Sequence, residues 1–201
     1  MKNEEENQPE AIGTKEKSLI HNASLFILDL VKLAIIAGIT IGLVRYFLFK
    51  PFYVSGQSME PNFLEKDYLI IDEITYRFRE PQRGEVIVFK SPLSNGDYYL
   101  KRIVGLPGER VKIDDNKVVI YNSDHPQGML IDEIYIAEKT QGSLMIILDS
   151  DEYFVMGDNR NSSYDSRRFG AIKRNSITGR AWVRGWPINR INKFENPSYN
   201  F

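Results

Sequence analysis

Tyr98-Tyr99-Leu100-Lys101-Arg102-Ile103-Val104-Gly105-Leu106-Pro107-Gly108 is the stretch on which the reading of the fold turns. Its opening residues are aromatic, aliphatic or β-branched apart from one pair of cations, a composition that suits a pleated strand. Pro107-Gly108 then ends the run in a turn. The same unit recurs on both sides: apolar runs at 68–74 and 85–89 upstream, and at 111–113, 118–121, 144–148, 153–156 and 180–183 downstream. Arg83-Gly84 and Asp115-Asn116 supply further turns. No long stretch of this part keeps a 3.6-residue period. The expectation is a mainly β domain of antiparallel hairpins over residues 50–201, with a net charge of zero.

The two cations inside the strand call for a reason. Alternate residues of a strand share a face, so Lys101 goes with Tyr99 and Ile103, and Arg102 with Leu100 and Val104. The faces do not separate the two, but their chemistry does. A guanidinium stays protonated in a protein, whereas desolvation lowers a lysine by several pKa units. Only Lys101 can serve as a neutral base. The competing reading is an edge-strand charge that deters aggregation.

Residues 25–49 read LFILDLVKLAIIAGITIGLVRYFLF, and from Leu33 to Val44 none is charged. About 20 mostly apolar residues suffice to cross a bilayer. Asp29 and Lys32 lie three apart and can pair on one helix face. Arg45 can extend its head to the interface, and Tyr46, Phe47 and Phe49 resemble an interfacial belt. A cleaved secretory signal fits less well, because the preceding region is acidic. The expected division is a polar, flexible tail at 1–22 (five Glu and three Lys), a transmembrane anchor at 23–49, and the β domain beyond. The flanking Lys and Arg are too evenly spread to orient the span.

Composition removes whole classes of chemistry. The 201 residues include no cysteine and only two histidines, His21 and His125. Disulfides, thiol nucleophiles and cysteine-held zinc are therefore out. Lys plus Arg is 26 against 27 Asp plus Glu, so the basic footprint of a nucleic-acid binder is missing. A nucleophilic enzyme built from this chain needs a base other than imidazole. His125, in Asp124-His125-Pro126, reads as an exposed loop residue.

Two more segments carry polar groups in dense order. Ser55-Gly56-Gln57-Ser58-Met59-Glu60-Pro61 follows the anchor; alone, Ser58 is a turn or N-cap serine as readily as a nucleophile. Gly157-Asp158-Asn159-Arg160-Asn161-Ser162-Ser163-Tyr164-Asp165-Ser166-Arg167 follows an apolar strand. It is either a solvated loop or a set of groups that fixes a site, with Asp165 and Arg167 as a candidate pair.

Taken in order behind an anchor, the three segments resemble the type I signal peptidases. That family carries a Ser-Met-x-Pro box, a strand ending in Lys-Arg before Gly-Leu-Pro-Gly, and a Gly-Asp-Asn-Arg…Ser-x-Asp-Ser-Arg box. Asp67-Tyr68-Leu69-Ile70-Ile71-Asp72 and Arg83-Gly84-Glu85-Val86-Ile87-Val88-Phe89 look like two further boxes, and the likeness runs from about Phe26 to Pro187. The resemblance implies an antiparallel β catalytic domain outside the cytoplasm on one N-terminal transmembrane helix. It implies Ser58 as nucleophile, with its main-chain N–H in the oxyanion hole, and Lys101 as general base. Ser163 would orient the lysine, and Asp165 and Arg167 would form a supporting ion pair.

The resemblance further implies no metal or organic cofactor, no nucleic acid, and two partners: secretory preproteins with small residues before the cleaved bond, and the lipid bilayer. Phe52, Val54, Met59 and Leu100 would line the shallow pockets for those small residues, unless they are ordinary core side chains. Two positions depart from the family. Gly56 stands where some members have a serine that donates to the oxyanion, and Asn62 stands where Thr is usual, with a small expected effect. Two other functions are open on the sequence: a self-cleaving repressor-type serine–lysine protease, and a non-catalytic membrane-anchored β module. Residues 122–150 and those after Pro187 match no box.

Overall fold

In a computed structural model the chain forms two units, Met1–Phe47 and Leu48–Phe201. The structure describes residues 11–47, 49–94, 96–114 and 116–199, without the side chains of 11–20 and 43–50.

The described residues of the first unit form one helix, α1 (Ala11–Phe47). At 1.5 Å per residue its 37 residues extend about 55 Å. Within it His21–Gly42, with mean hydropathy 2.2, is long and apolar enough to cross a membrane. Asp29 and Lys32 pair at 3.3 Å on its exposed surface. The helix begins well inside the stretch expected to be a flexible tail. Ala, Leu, Lys and Glu favour helix there, and extending a helix already nucleated by an apolar run is easy. Residues 1–10 of that tail, and the side chains of the Tyr46, Phe47 and Phe49 belt, lie outside the described residues.

The second unit is mainly β. Its strands are β1 (Phe49–Tyr53), β2 (Tyr68–Asp72), β3 (Val86–Lys90), β4 (Tyr98–Gly105), β5 (Arg110–Asp114), β6 (Lys117–Tyr121), β7 (Met129–Leu130), β8 (Leu144–Ile147), β9 (Glu152–Met156), β10 (Ile172–Lys173), β11 (Ile177–Trp186) and β12 (Asn192–Lys193). A short helix, α2 (Ser166–Phe169), follows β9. One sheet has the order β1-β2-β11-β3-β4-β9-β10 with β12 on β11, and the other the order β7-β6-β5-β8. Every paired neighbour runs antiparallel.

Each apolar run read from the sequence is a strand. The run at 68–74 stops at Asp72, whose carboxylate accepts from the N–H groups of Ile74 and Thr75 and turns the chain. β1 takes Phe49 from the expected anchor into the sheet. Pro51 is tolerated there because β1 is an edge strand. The two-residue strands β7, β10 and β12 are too short to show a period.

Three apolar clusters form the interior. The first joins Val54, Met59, Phe63, Leu69, Ile71, Val86, Val88 and Leu100; the second holds Val111, Ile113, Ile120 and Phe154; the third holds Ile87, Phe89, Ile103 and Tyr153. Full burial of one such side chain stabilises by about 1.5–3 kcal/mol. The residues after Pro187 take part as well. Phe194 stacks on Phe63 with centroids 4.3 Å apart, and Pro197 closes over Gly84, where a Cβ would come within 2.9 Å of its ring.

One detail of register positions the site. β3 pairs β4 from Tyr98 to Arg102, but β9 meets β4 only at Arg102, Ile103 and Gly105. Residues 98–101 therefore keep one unpaired edge, and the chain leaving β9 at Gly157 is level with Lys101.

Candidate active site

Lys101 ends the unpaired part of β4. Its side chain is 5% exposed, with Ile103 at 0% farther along the same face. Lys101 Nζ donates to Ser58 Oγ at 2.8 Å and to the Leu100 carbonyl at 2.9 Å, and it lies 5.5 Å from the centre of the Tyr99 ring. Burial lowers the ammonium from its ordinary 10.5 to about 8, while the charges of Asp165 and Asp158 oppose the shift without cancelling it. The amine is thus near the point at which a base is both available and strong enough.

Ser58 sits half-buried on the loop after β1. That loop is held by the segment after β9: Asn159 donates its main-chain N–H to Ser58 O at 3.1 Å and its Nδ2 to Gln57 O at 3.1 Å. The approach requires Gly157. A Cβ there would collide with Ser58 O and with Ser163 Oγ.

The ion pair expected of Asp165 and Arg167 is formed. Arg167 Nε donates to Asp165 Oδ1 at 2.8 Å and Nη2 to Oδ2 at 2.9 Å. Burial pushes the Asp165 carboxyl up, but Arg167 and the N–H of Gly157 hold it below its ordinary value. Asp165 also caps α2 by accepting from the Arg167 N–H. Ser163 is buried beside these groups, yet its Oγ makes no hydrogen bond. It lies near enough to help stabilise the Asp165 carboxylate, but the two are not aligned for a bond. The lysine is oriented here by the Leu100 carbonyl rather than by Ser163.

Phe52, Val54, Met59 and Leu100 all border one groove of about 340 Å³ with Ser58 and Lys101, closed at one side by Ser162 and Tyr164. Val54, Met59 and Leu100 are also buried in the first apolar cluster. Val54, Met59 and Leu100 are thus core side chains that also border this groove, and Phe52 packs against the same cluster. Gly56, at φ 88°, has nothing within 4 Å of where a Cβ would stand, so this position offers space and no side-chain donor.

A second ring of contacts could not be read from the sequence. Arg102, on the opposite face to Lys101, makes a two-pronged pair with Asp158 (Nε–Oδ1 2.8 Å, Nη2–Oδ2 2.6 Å) and lies over the Tyr135 ring at 4.2 Å. Arg160 makes another with Glu133 (2.8 and 2.6 Å) and bonds Thr140. Residues 122–150 thus supply the partners of Arg160 and the ring over which Arg102 lies, although they match no box. Asn62, at the other departing position, has defined partners: its Nδ2 donates to Asp158 Oδ2 at 2.8 Å and to Tyr135 O at 2.7 Å. His125 is half-buried in its turn, where its main-chain N–H donates to Asn122 Oδ1.

Residues 27–186 match the model of the signal peptidase family, peptidase S26. The chain belongs to the signal peptidase family. Among curated members, it is 38% identical over 154 residues to the probable signal peptidase I-2 of Synechocystis sp., covering 74% of this chain and 68% of that one. It is 32% identical over 191 residues to signal peptidase I of Bacillus amyloliquefaciens, covering 89% and 97%. A solved signal peptidase I from Enterococcus faecalis V583 is 33% identical and covers 51% of this chain and 97% of that one, with a TM-score of 0.44. The signal peptidase match spans the part of α1 from Ile27 and every strand except β12.

Proposed function

We propose that this serine endopeptidase removes signal peptides from secretory preproteins with Ser58 as nucleophile and Lys101 as general base. The observation that carries the assignment is the 2.8 Å contact between Ser58 Oγ and an amine whose burial lowers it to about 8. When the amine is neutral, the Ser58 hydroxyl donates to its lone pair. As Oγ attacks the scissile carbonyl, the proton passes to Lys101 Nζ. The Ser58 N–H stabilises the oxyanion, a contribution of about 3 kcal/mol per donor in comparable sites. The resulting ammonium protonates the leaving amine as the C–N bond breaks. A water then attacks the acyl-enzyme, giving its proton to Lys101, which returns one to Ser58 as the acid leaves.

Asp165 with Arg167, and Ser163 through packing against Gly157, act as positioning residues for this pair. Phe52, Val54, Met59 and Leu100 form the floor that admits small side chains before the bond. α1 crosses the bilayer once, with the β unit on the extracytoplasmic side, where a translocated preprotein emerges. The experiment is cleavage of a model preprotein in lipid by wild type, Ser58→Ala and Lys101→Met. Loss of cleavage in both variants is expected. A Lys101→Met protein that cuts at the wild-type rate would sink the assignment, and an inert wild type would favour a non-catalytic β module.

A further inference from the structure

The loop of residues 161–164 has a cavity on each side. On one side, Ser162 and Tyr164 close the groove that holds Ser58 and Lys101. On the other, Asn161, Ser163, Arg160, Arg167 and Arg168 border a second cavity of about 290 Å³. Three guanidinium groups meet there, and their partners differ. Arg160 is matched by Glu133 and Arg167 by Asp165. Glu138 is engaged by Asn161. Arg168, on α2, lies 5.8 Å from the centre of the Tyr164 ring and has no carboxylate within ion-pair distance among the described residues. Ser163 also borders this cavity, with its buried Oγ packed against Gly157. The cavity therefore holds one positive charge with no carboxylate partner among the described residues, one loop away from the reacting pair.

We propose that this second cavity is an anion subsite, in which Arg168 takes a carboxylate side chain of the substrate on the mature side of the scissile bond. The inference rests on the proposed peptidase reading. If the residues before the bond occupy the floor formed by Phe52, Val54 and Leu100, the chain after the bond leaves past Ser162 and Tyr164. An acidic side chain within the first residues beyond the bond then reaches the Arg168 guanidinium. Arg167 and Arg160, already paired, add hydrogen-bond capacity and no net charge. Arg168 is exposed, so the preference it confers is modest: an exposed ion pair corresponds to roughly two- to five-fold in kcat/KM. Salt weakens such a preference.

The test uses the full chain in lipid and three matched preproteins carrying Asp, Gln or Lys at the first two positions after the bond. Wild type, Arg168→Gln and Arg168→Glu are compared by kcat/KM at low and high salt. Wild type is expected to prefer Asp over Lys about three-fold. Arg168→Gln should erase the preference and Arg168→Glu should invert it, and all three proteins should cut the Gln preprotein equally. An Asp-to-Lys ratio that is the same in all three proteins overturns the subsite. So does an equal loss on every preprotein in the Arg168 variants, which would give Arg168 a structural role. Failure of wild type to cut even the Gln preprotein overturns the peptidase reading itself, and the subsite with it.

Discussion

At the scale of single residues, Lys101 is the point where stability and chemistry oppose each other. Its amine is about 8 in the folded chain against 10.5 when exposed. Below pH 8 the folded state has to bury an ammonium, and stability rises as pH climbs from about 8 to 10.5, because there the unfolded chain still binds the proton that the folded chain has released. Lys101→Met removes that burden. At pH 7 the variant should be more stable, by at most about 3 kcal/mol, as measured by denaturant unfolding, while cleavage falls by about 10³-fold. The same value sets the activity profile: kcat/KM of wild type should rise with pH through about 8 and level off on the alkaline side. A profile flat between pH 6 and 9 would contradict a lysine base. Residue type separated Lys101 from Arg102, which cannot give up its proton, but it left an edge-strand charge open, and the ordered boxes made Lys101 the candidate. That the amine meets Ser58, across 43 positions of sequence, was not legible.

At the scale of elements, the decisive feature is the parting of β9 from β4. β9 pairs β4 as far as Arg102 and then turns away at Gly157, which leaves room for the loop carrying Ser58. Gly157→Ala places a methyl against Ser58 O and Ser163 Oγ. The expected result is a folded protein in which the serine is displaced from the lysine, with cleavage down about 100-fold and KM changed little. Asn62 ties the same loop to Asp158 and Tyr135. Asn62→Ala should lower stability by about 1–2 kcal/mol, measured by thermal or denaturant unfolding, and Asn62→Thr should recover part of it. The strands themselves were legible as short apolar runs rich in Val, Ile, Tyr and Phe between turn residues; burial alternates along 110–114 and 117–121 but not along the fully buried 86–89. β1 was not legible, since Phe49–Tyr53 continues an apolar run, and only its pairing with β2 distinguishes it from the end of the helix.

At the scale of the whole molecule, all three apolar clusters lie in the unit Leu48–Phe201. A chain of residues 48–201 is therefore expected to unfold cooperatively on its own and to lose co-sedimentation with lipid vesicles that the full chain shows. Equal sedimentation of both would mean that α1 is not the anchor. The sequence by itself determined the β class and the apolar span, because residue composition and hydropathy are local properties, while Ser58 and Lys101 became candidates only through the resemblance of the ordered boxes. Only the tertiary structure decided the partners: Ser58 with Lys101, Arg102 with Asp158, Arg160 with Glu133, and for Arg168 the Tyr164 ring and no carboxylate among the described residues. The physical reason is that an ion pair or a proton-transfer contact depends on a separation of a few ångströms. Chain positions 27 to 56 apart are brought that close by sheet register and loop packing, and no local pattern encodes the distance.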